Sequence, residues 1–346
     1  MVFVKKVTSF TLIKFLEKII LVKQFKLSIC IPTYNRSKFL NECLQNAITA
    51  INYANATVEI VISDNCGSDD TPKVVAHWQT IYPFIRYHRN DKNIFEMNFR
   101  RVVQLASSEY VWTLGDDDKI VEDGVKRILE SIDYGYDFII CNCIQGKKEK
   151  AIIPLDLKVK NQKEILEKIG IWYLGFISAT VAKKELMLAL PDEEYQGFVE
   201  YGLVHAYACL VGISGGCKPF FIPKPILKIP FTQIYRSDPE WVRSYSETMI
   251  PKIAIMGPAL ISKKLVQYNY SKASVTNAKN HVVKNSILPI IIGEKAEQKN
   301  TKTIVELVSL HYRDCWTYWF LILPIRLLPN FIFAIARNYY RNFIKK

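Results

Sequence analysis

The sequence predicts an α/β protein: a doubly wound, mostly parallel sheet flanked by helices, followed by a helical C-terminal extension. Three observations lead there. From Lys26 onward, short apolar runs alternate with segments of helical periodicity, the pattern of parallel strands joined by right-handed crossovers. Three of those runs end in polar clusters, PTYNR, SDNCGSDD and GDDD, and in such sheets ligands bind beyond the carboxyl ends of the strands. From about Ser246 the strand signals give way to helical patterns such as KTIVELVSLHYRDCWTYW.

The elements follow in order. KLSICIPTY is a short apolar strand stopped by Pro32. Ser37 offers an N-cap for SKFLNECLQNAITAI, in which Phe39, Leu40, Cys43, Leu44, Ala47, Ile48 and Ile51 share one helical face. VEIVISDN is the second strand. TPKVVAHWQTIY is the second helix, with Thr71 as cap and Pro72 at the first helical position. IRYHRN, NFRRVVQLAS and YVWTL continue as strand, helix and strand, and VEDGVKRILESI is a further helix. Later, FVEYGLVHAYACLVG reads as one helix opening near Glu200, with His205 on its otherwise apolar surface as a core or cavity-wall histidine.

Composition narrows the function. The chain of 346 residues is 49% hydrophobic, enough for a full core, and 46 Lys and Arg against 33 Asp and Glu give a net charge of +13. Such a balance suits a polyanionic partner: phosphorylated substrates or an anionic membrane surface. No zinc-finger spacing or RNP-like stretch is present, so nucleic acid is not expected as a partner. The eight cysteines are scattered without a CxxC pair and read as reduced thiols. The opening MVFVKKVTSFTLIKFLEKIILVKQFK has neither a long apolar core nor a small-residue cleavage site. It reads as an amphipathic helix on a membrane or on the domain, or as a poorly ordered extension.

The triplet Asp116, Asp117 and Asp118 poses the chemical question, since adjacent carboxylates repel one another. Sharing a hard dication would relieve the repulsion, and Mg²⁺ or Mn²⁺ takes oxygen ligands while leaving positions for phosphate oxygens. In an arbitrary sequence the plainer reading of a bare DDD is a solvated acidic turn ahead of the next helix; its place at a strand end favours the cation. PTYNR offers backbone amides and Arg36 near a helix N-terminus, suited to phosphate, or an ordinary turn. Asp64, ending the second strand, can accept a hydrogen bond from a base or ribose, or sit in a turn.

LSICIPTYNR, VEIVISDNCGSDDTPKVV and YVWTLGDDD, in this order and spacing, resemble glycosyltransferase family 2 over roughly Lys26 to Gly215. NFRRVVQLASSEYVWTLGDDD is most similar to the branch of abequosyltransferase-like enzymes of O-antigen assembly. The resemblance implies a GT-A fold over 26–240, after a basic extension at 1–25 and before a helical region at 241–346. It implies inverting transfer of a sugar from a nucleotide-sugar donor to an oligosaccharide or lipid-linked acceptor. Pro32, Thr33, Tyr34, Arg36, Asp64, Asn93 and Asp116 would line the donor site, and Asp117 and Asp118 would hold Mg²⁺ or Mn²⁺. An inverting transfer also needs a base on the acceptor side. Glu200 matches the first acidic position of the family's pair, with Glu194 and Asp192 as alternates.

Three departures stand out. Gly115 lies where relatives often carry a first carboxylate, and Tyr201 where they carry a second acid beside Glu200. DKNIFEMNF lacks the glycine that usually follows Asn-Ile, which reads as a one-residue deletion. Gly115 and Tyr201 keep open an inactive, glycan-binding or scaffolding relative. A nucleotidyltransferase is disfavoured because PTYNRSKF is no glycine-rich phosphate loop. Arg236, in FTQIYRSDPEW, is a loop cation that could reach a diphosphate, or a surface turn residue. The closing CWTYWFLILPIRLLPNFIFAIARNYYRNFIKK is too interrupted by Pro324, Arg326, Pro329 and Asn330 for a clean span. Its aromatic and basic borders suit a peripheral, interfacial location at the cytoplasmic face of a membrane.

Overall fold

A computed structural model describes residues 25–145, 150–229 and 245–339. The extension before residue 25, Arg236, the boundary expected near 240, and Arg341, Lys345 and Lys346 lie outside the described residues.

The N-terminal half follows the expected alternation. Strands β1 (Leu27–Thr33), β2 (Glu59–Asp64), β3 (Ile85–Arg89) and β4 (Tyr110–Thr113) are separated by helices α1 (Ser37–Tyr53), α2 (Thr71–Ile81) and α3 (Met97–Leu105). They lie in the order β3-β2-β1-β4, all parallel. β1 and β2 are buried along their whole lengths, which is why they read as nearly continuous apolar runs. Alternation along β1 separates two cores. Ile29 and Ile31 join the layer of Leu40, Leu44 and Ile51 from α1, while Cys30 joins the layer of Val102 and Val103 from α3.

The second half departs from a parallel arrangement. β8 (Thr180–Lys183) pairs antiparallel with β4 and with β6 (Phe138–Gln145). β9 (Pro219–Ile229) runs parallel to β6, and the two-residue strands β5 (Lys119–Ile120) and β7 (Lys150–Ala151) pair antiparallel with β9 and β6. The sheet is therefore mixed, and its switch in direction falls beside β4, under the carboxylate triplet. α4 (Gly124–Asp133) covers one face with Val125, Ile128 and Ile132.

FVEYGLVHAYACLVG is not one helix. α5 (Asp192–Phe198) runs into a short turn at Val199–Tyr201, and then Gly202 (φ 61°) and Leu203 (φ 56°) form a left-handed corner before α6 (Val204–Gly212). Glu200 thus precedes a corner rather than opening a helix, so the dipole of α6 does not explain its place.

The C-terminal helices α7 (Gly257–Leu265), α8 (Lys272–Val282), α9 (Leu288–Ala296), α10 (Lys302–Tyr312), α11 (Leu323–Leu327) and α12 (Asn330–Tyr339) build on this base. Ile261, Leu265, Val275 and Ala278 share a core with α3 and α6. Val282, Ile291, Val308, Tyr312 and Ile322 form a third cluster. Among the described residues no single helix is long and apolar enough to cross a membrane; the segments Tyr318–Leu327 and Asn330–Asn338 meet at 96°. Lys295 secures that corner by donating to the Leu328 carbonyl at 2.8 Å and to Asn330 Oδ1 at 3.2 Å. All eight cysteines are free, and six are buried, consistent with reduced thiols.

Candidate active site

Register brings the strand-end clusters together. Thr33 lies beside Asp64, and Asp64 beside Arg89. β4 pairs with β1 only as far as Cys30, so the chain after Thr113 turns across the end of β1. There Thr33 Oγ1 donates to Asp116 Oδ2 at 2.8 Å. Arg36 spans two carboxylates, 2.7 Å from Asp116 and 2.6 Å from Asp117, while stacking over Phe39 at 4.8 Å. Ser178 Oγ donates to Asp118 at 2.5 Å and accepts from the Gly115 N–H at 2.8 Å. The positive charge that the triplet requires is therefore supplied within the fold by Arg36.

Burial dominates the electrostatics. It raises Asp116 to about 6, against the lowering effects of Arg36 and Thr33 and with repulsion from Asp117 added. It raises Asp118 to about 7, with Ser178 lowering and Asp117 and Asp116 raising further. Burial thus pushes both acids toward their neutral forms, a shift that a nearby cation would oppose. The all-oxygen donor set fits Mg²⁺ or Mn²⁺, which is commonly held by one or two carboxylates plus substrate phosphates. Among the described residues no three acid, histidine or cysteine side chains converge on a metal position.

Gly115 now has a physical explanation. A Cβ there would lie 2.6 Å from Asp118 Oδ2 and 3.4 Å from Asp117 Oδ1. The missing carboxylate is a condition for the close approach of the other three. Gly115→Ala is expected to cost about 1–3 kcal/mol by overpacking and to displace Asp118, which chemical denaturation and nucleotide titration of the variant would measure.

These groups line a cavity of about 1280 Å³, larger than the ~300–1,000 Å³ of ordinary small-molecule sites. Pro32, Thr33, Tyr34, Arg36 and Asp116, Asp117 and Asp118 line one end. Phe176, Gln196, Glu200, Leu203 and His205 also line the cavity. Two expected donor residues fall elsewhere. Asp64 does not line the cavity; it is fully buried and accepts from the Gly67 N–H at 2.8 Å and the Tyr87 hydroxyl at 2.7 Å. Asn93 is likewise absent from the wall, its Oδ1 accepting from Asn65 Nδ2 and the Phe95 N–H, both at 2.8 Å. Asn65 lines the cavity instead. Phe95 occupies the left-handed backbone region (φ 49°) directly after Asn-Ile, where glycine is favoured. The absent glycine thus reads as a replacement that keeps glycine's conformation rather than as a deletion.

The three acids considered as the base differ sharply. Glu200 lines the cavity, mostly exposed, and pairs with Lys252 at 3.1 Å. Hydrogen bonds from Lys252 and Tyr201 and the Lys252 charge hold it below the usual carboxylate range. Glu194 accepts from the Tyr207 and Tyr268 hydroxyls, each at 2.6 Å, and Asp192 pairs with Arg100; neither lines the cavity. His205 Nε2–H donates to the Gly175 carbonyl, and burial lowers its pKa to about 4, so it is a neutral wall residue. Sequence reasoning missed Ser178, Asn65, Phe95 and Glu96. Only the irregular NIFEMN offered a signal.

Comparison with known proteins agrees with this geometry. Residues 28–183 match the profile of the family described as Glycosyl transferase family 2. The chain is similar to abequosyltransferase RfbV of Salmonella typhimurium, at 37% identity over 34% of this chain and 35% of that one. It is also similar to the GalNAc(5)-diNAcBac-PP-undecaprenol beta-1,3-glucosyltransferase of Campylobacter jejuni, at 30% over 36% of this chain and 40% of that one. The matches thus span well under half of each relative. In structure, S. aureus TarS 1-349 in complex with UDP-GlcNAc superposes with a TM-score of 0.62 at 14% identity, over 83% of this chain and 80% of that one. The mannosyltransferase PcManGT of Pyrobaculum calidifontis, in complex with GDP-Man and Mn²⁺, superposes with 0.51 at 12%, over 92% and 88%. Residues 28–183 are accordingly a glycosyltransferase family 2 segment, set in a GT-A fold.

Proposed function

We propose that the chain transfers a sugar from a nucleotide-diphosphate sugar to a growing, lipid-linked glycan of a surface polysaccharide such as O-antigen or capsule, with inversion. The carrying observation is the one cavity lined by Pro32, Thr33, Tyr34, Arg36, the carboxylate triplet and Glu200. Tyr34 and Asn65 flank the nucleotide, and Arg36 moves its charge from Asp116 and Asp117 toward the diphosphate. Asp117 and Asp118 would hold Mg²⁺ or Mn²⁺, which would supply charge neutralisation for the leaving diphosphate. Glu200 takes the proton from the acceptor hydroxyl as that oxygen bonds to the anomeric carbon and the bond to the diphosphate breaks. The relatives' names support this reading. Slow hydrolysis of one member of a nucleotide-sugar panel in Mn²⁺, with thermal stabilisation by the same compound, is the expected result. No stabilisation and no cleavage across the panel would leave the inactive, glycan-binding reading.

The acceptor reading carries a membrane proposal: peripheral attachment at the cytoplasmic face. Trp316, Trp319, Phe320, Leu327, Phe331 and Ile335 are all more than half exposed and cluster around α11 and α12, together with Arg326. Aromatic and aliphatic groups of this kind enter an acyl boundary while cations stay among anionic headgroups, each cation contributing about 1 kcal/mol. Truncation before Cys315 is a poor probe, because Cys315, Tyr318 and Ile322 belong to the third core cluster. Joint substitution of Phe320, Leu327, Phe331 and Ile335 by serine is expected to lower binding to anionic liposomes at least about tenfold, given ~1.5–3 kcal/mol per buried apolar side chain, and to spare donor hydrolysis. Wild-type chain that floats free of such liposomes at low salt would remove the membrane claim.

A further inference from the structure

Two consecutive residues at the cavity mouth have no place in the scheme above. Phe95 is 73% exposed and held at φ 49°, an outlying conformation for a bulky side chain. Such strain persists where the surroundings impose it and often marks a ligand contact. Glu96 follows it as the N-cap of α3, and both line the cavity. The Glu96 carboxylate makes no hydrogen bond or ion pair among the described residues; burial raises it to about 7 with no compensating partner. An acid in that condition has acceptor capacity to offer a ligand. Its neighbours include α5 and α6: the Tyr195 hydroxyl of α5 donates to the Glu96 carbonyl at 3.4 Å, and Phe99 contacts His205 of α6 at 5.5 Å between ring centroids.

We propose that Phe95 and Glu96 form a sugar subsite, in which the exposed ring packs against the apolar face of a pyranose and the unpartnered carboxylate accepts one of its hydroxyls. The proposal rests on the transfer reading and names the part of the substrate that these two residues select. The sugar is either the donor's or the acceptor's.

The test is thermal-shift titration of the full chain in Mn²⁺. One arm compares UDP, GDP, dTDP and CDP with their hexose conjugates. The other adds methyl α- and β-pyranosides over saturating nucleotide. A sugar-dependent gain in wild-type affinity in the first arm assigns the ring to the donor, and in the second to the acceptor. Phe95→Ala and Glu96→Ala are expected to lose at least about tenfold of that gain, the scale of one lost specific contact, with nucleotide affinity unchanged. Glu96→Gln, which keeps an acceptor oxygen, should retain part of it. Phe95→Gly relieves the backbone, so it should melt no lower than wild type and still lose the sugar-dependent gain, a split that a purely structural residue would not produce. Undiminished gain in these variants overturns the subsite, as does nucleotide binding with no gain in either arm. A wild-type chain that binds no nucleotide fails at the transfer reading itself, and the subsite falls with it.

Discussion

Asp117→Asn is expected to abolish metal-dependent donor binding and to lower turnover by roughly a thousandfold, the rate equivalent of several kcal/mol of lost charge stabilisation. Asparagine keeps the shape of the side chain but not the charge that offsets a cation. The fold should survive, because Arg36 still has Asp116 at 2.7 Å and Thr33 still donates to the same carboxylate. Calorimetric titration of the nucleotide sugar with and without Mn²⁺ reads the effect directly. Wild-type affinity and turnover in the variant, with Mn²⁺ present, would remove the assignment of the triplet. The same titration bears on Arg36, whose pairing with Asp117 at 2.6 Å is expected to be exchanged for the cation when donor binds.

Glu200→Gln is expected to lower turnover at least about a hundredfold, the usual scale for loss of general-base help, and to leave donor affinity nearly unchanged because the group acts on the acceptor. The structure sharpens this expectation. Lys252 and Tyr201 hold Glu200 below the usual carboxylate range, so the proposed role as base requires the acceptor to displace the lysine. Near-normal turnover in the variant would dismiss Glu200. Glu194 and Asp192 are poor substitutes, since the first is held by two tyrosine hydroxyls and the second by Arg100.

The N-terminal half of the molecule was legible because its information is local. β1 and β2 are buried on both faces and announce themselves as apolar runs, and a parallel register places their polar ends side by side. Strand direction in the second half was not legible. β6, β8 and β9 are apolar whichever way they run, and their pairing depends on contacts remote in sequence. The site shows the same division. Arg36 and the triplet were proposed from their place at strand ends and Thr33 from the family resemblance, but Ser178 reaches Asp118 across 60 positions, and no local pattern reports such a contact. Asp64 was chosen for its place at a strand end, correctly located, yet its oxygens are satisfied by Gly67 and Tyr87. The left-handed corner at Gly202 and Leu203 was hidden because the leucine gives no turn signal and the flanking residues keep helical spacing.

The contacts of α3 bear on how such enzymes can be recombined. Arg100 is nearly buried, donates to the Leu188 and Leu190 carbonyls, and pairs with Asp192 at the start of α5. The Asp192 side chain is 70% exposed, so losing it costs less than the about 3–5 kcal/mol of a fully buried pair, but it leaves the nearly buried guanidinium without its carboxylate. A cut for a chimaera placed between the parallel and the mixed halves of the sheet would pass through this pair. A crossover placed at the end of β4 therefore inherits a mismatched seam unless residues 188–192 travel with α3. The unit that can be exchanged is therefore smaller than half of the sheet and begins after Asp192.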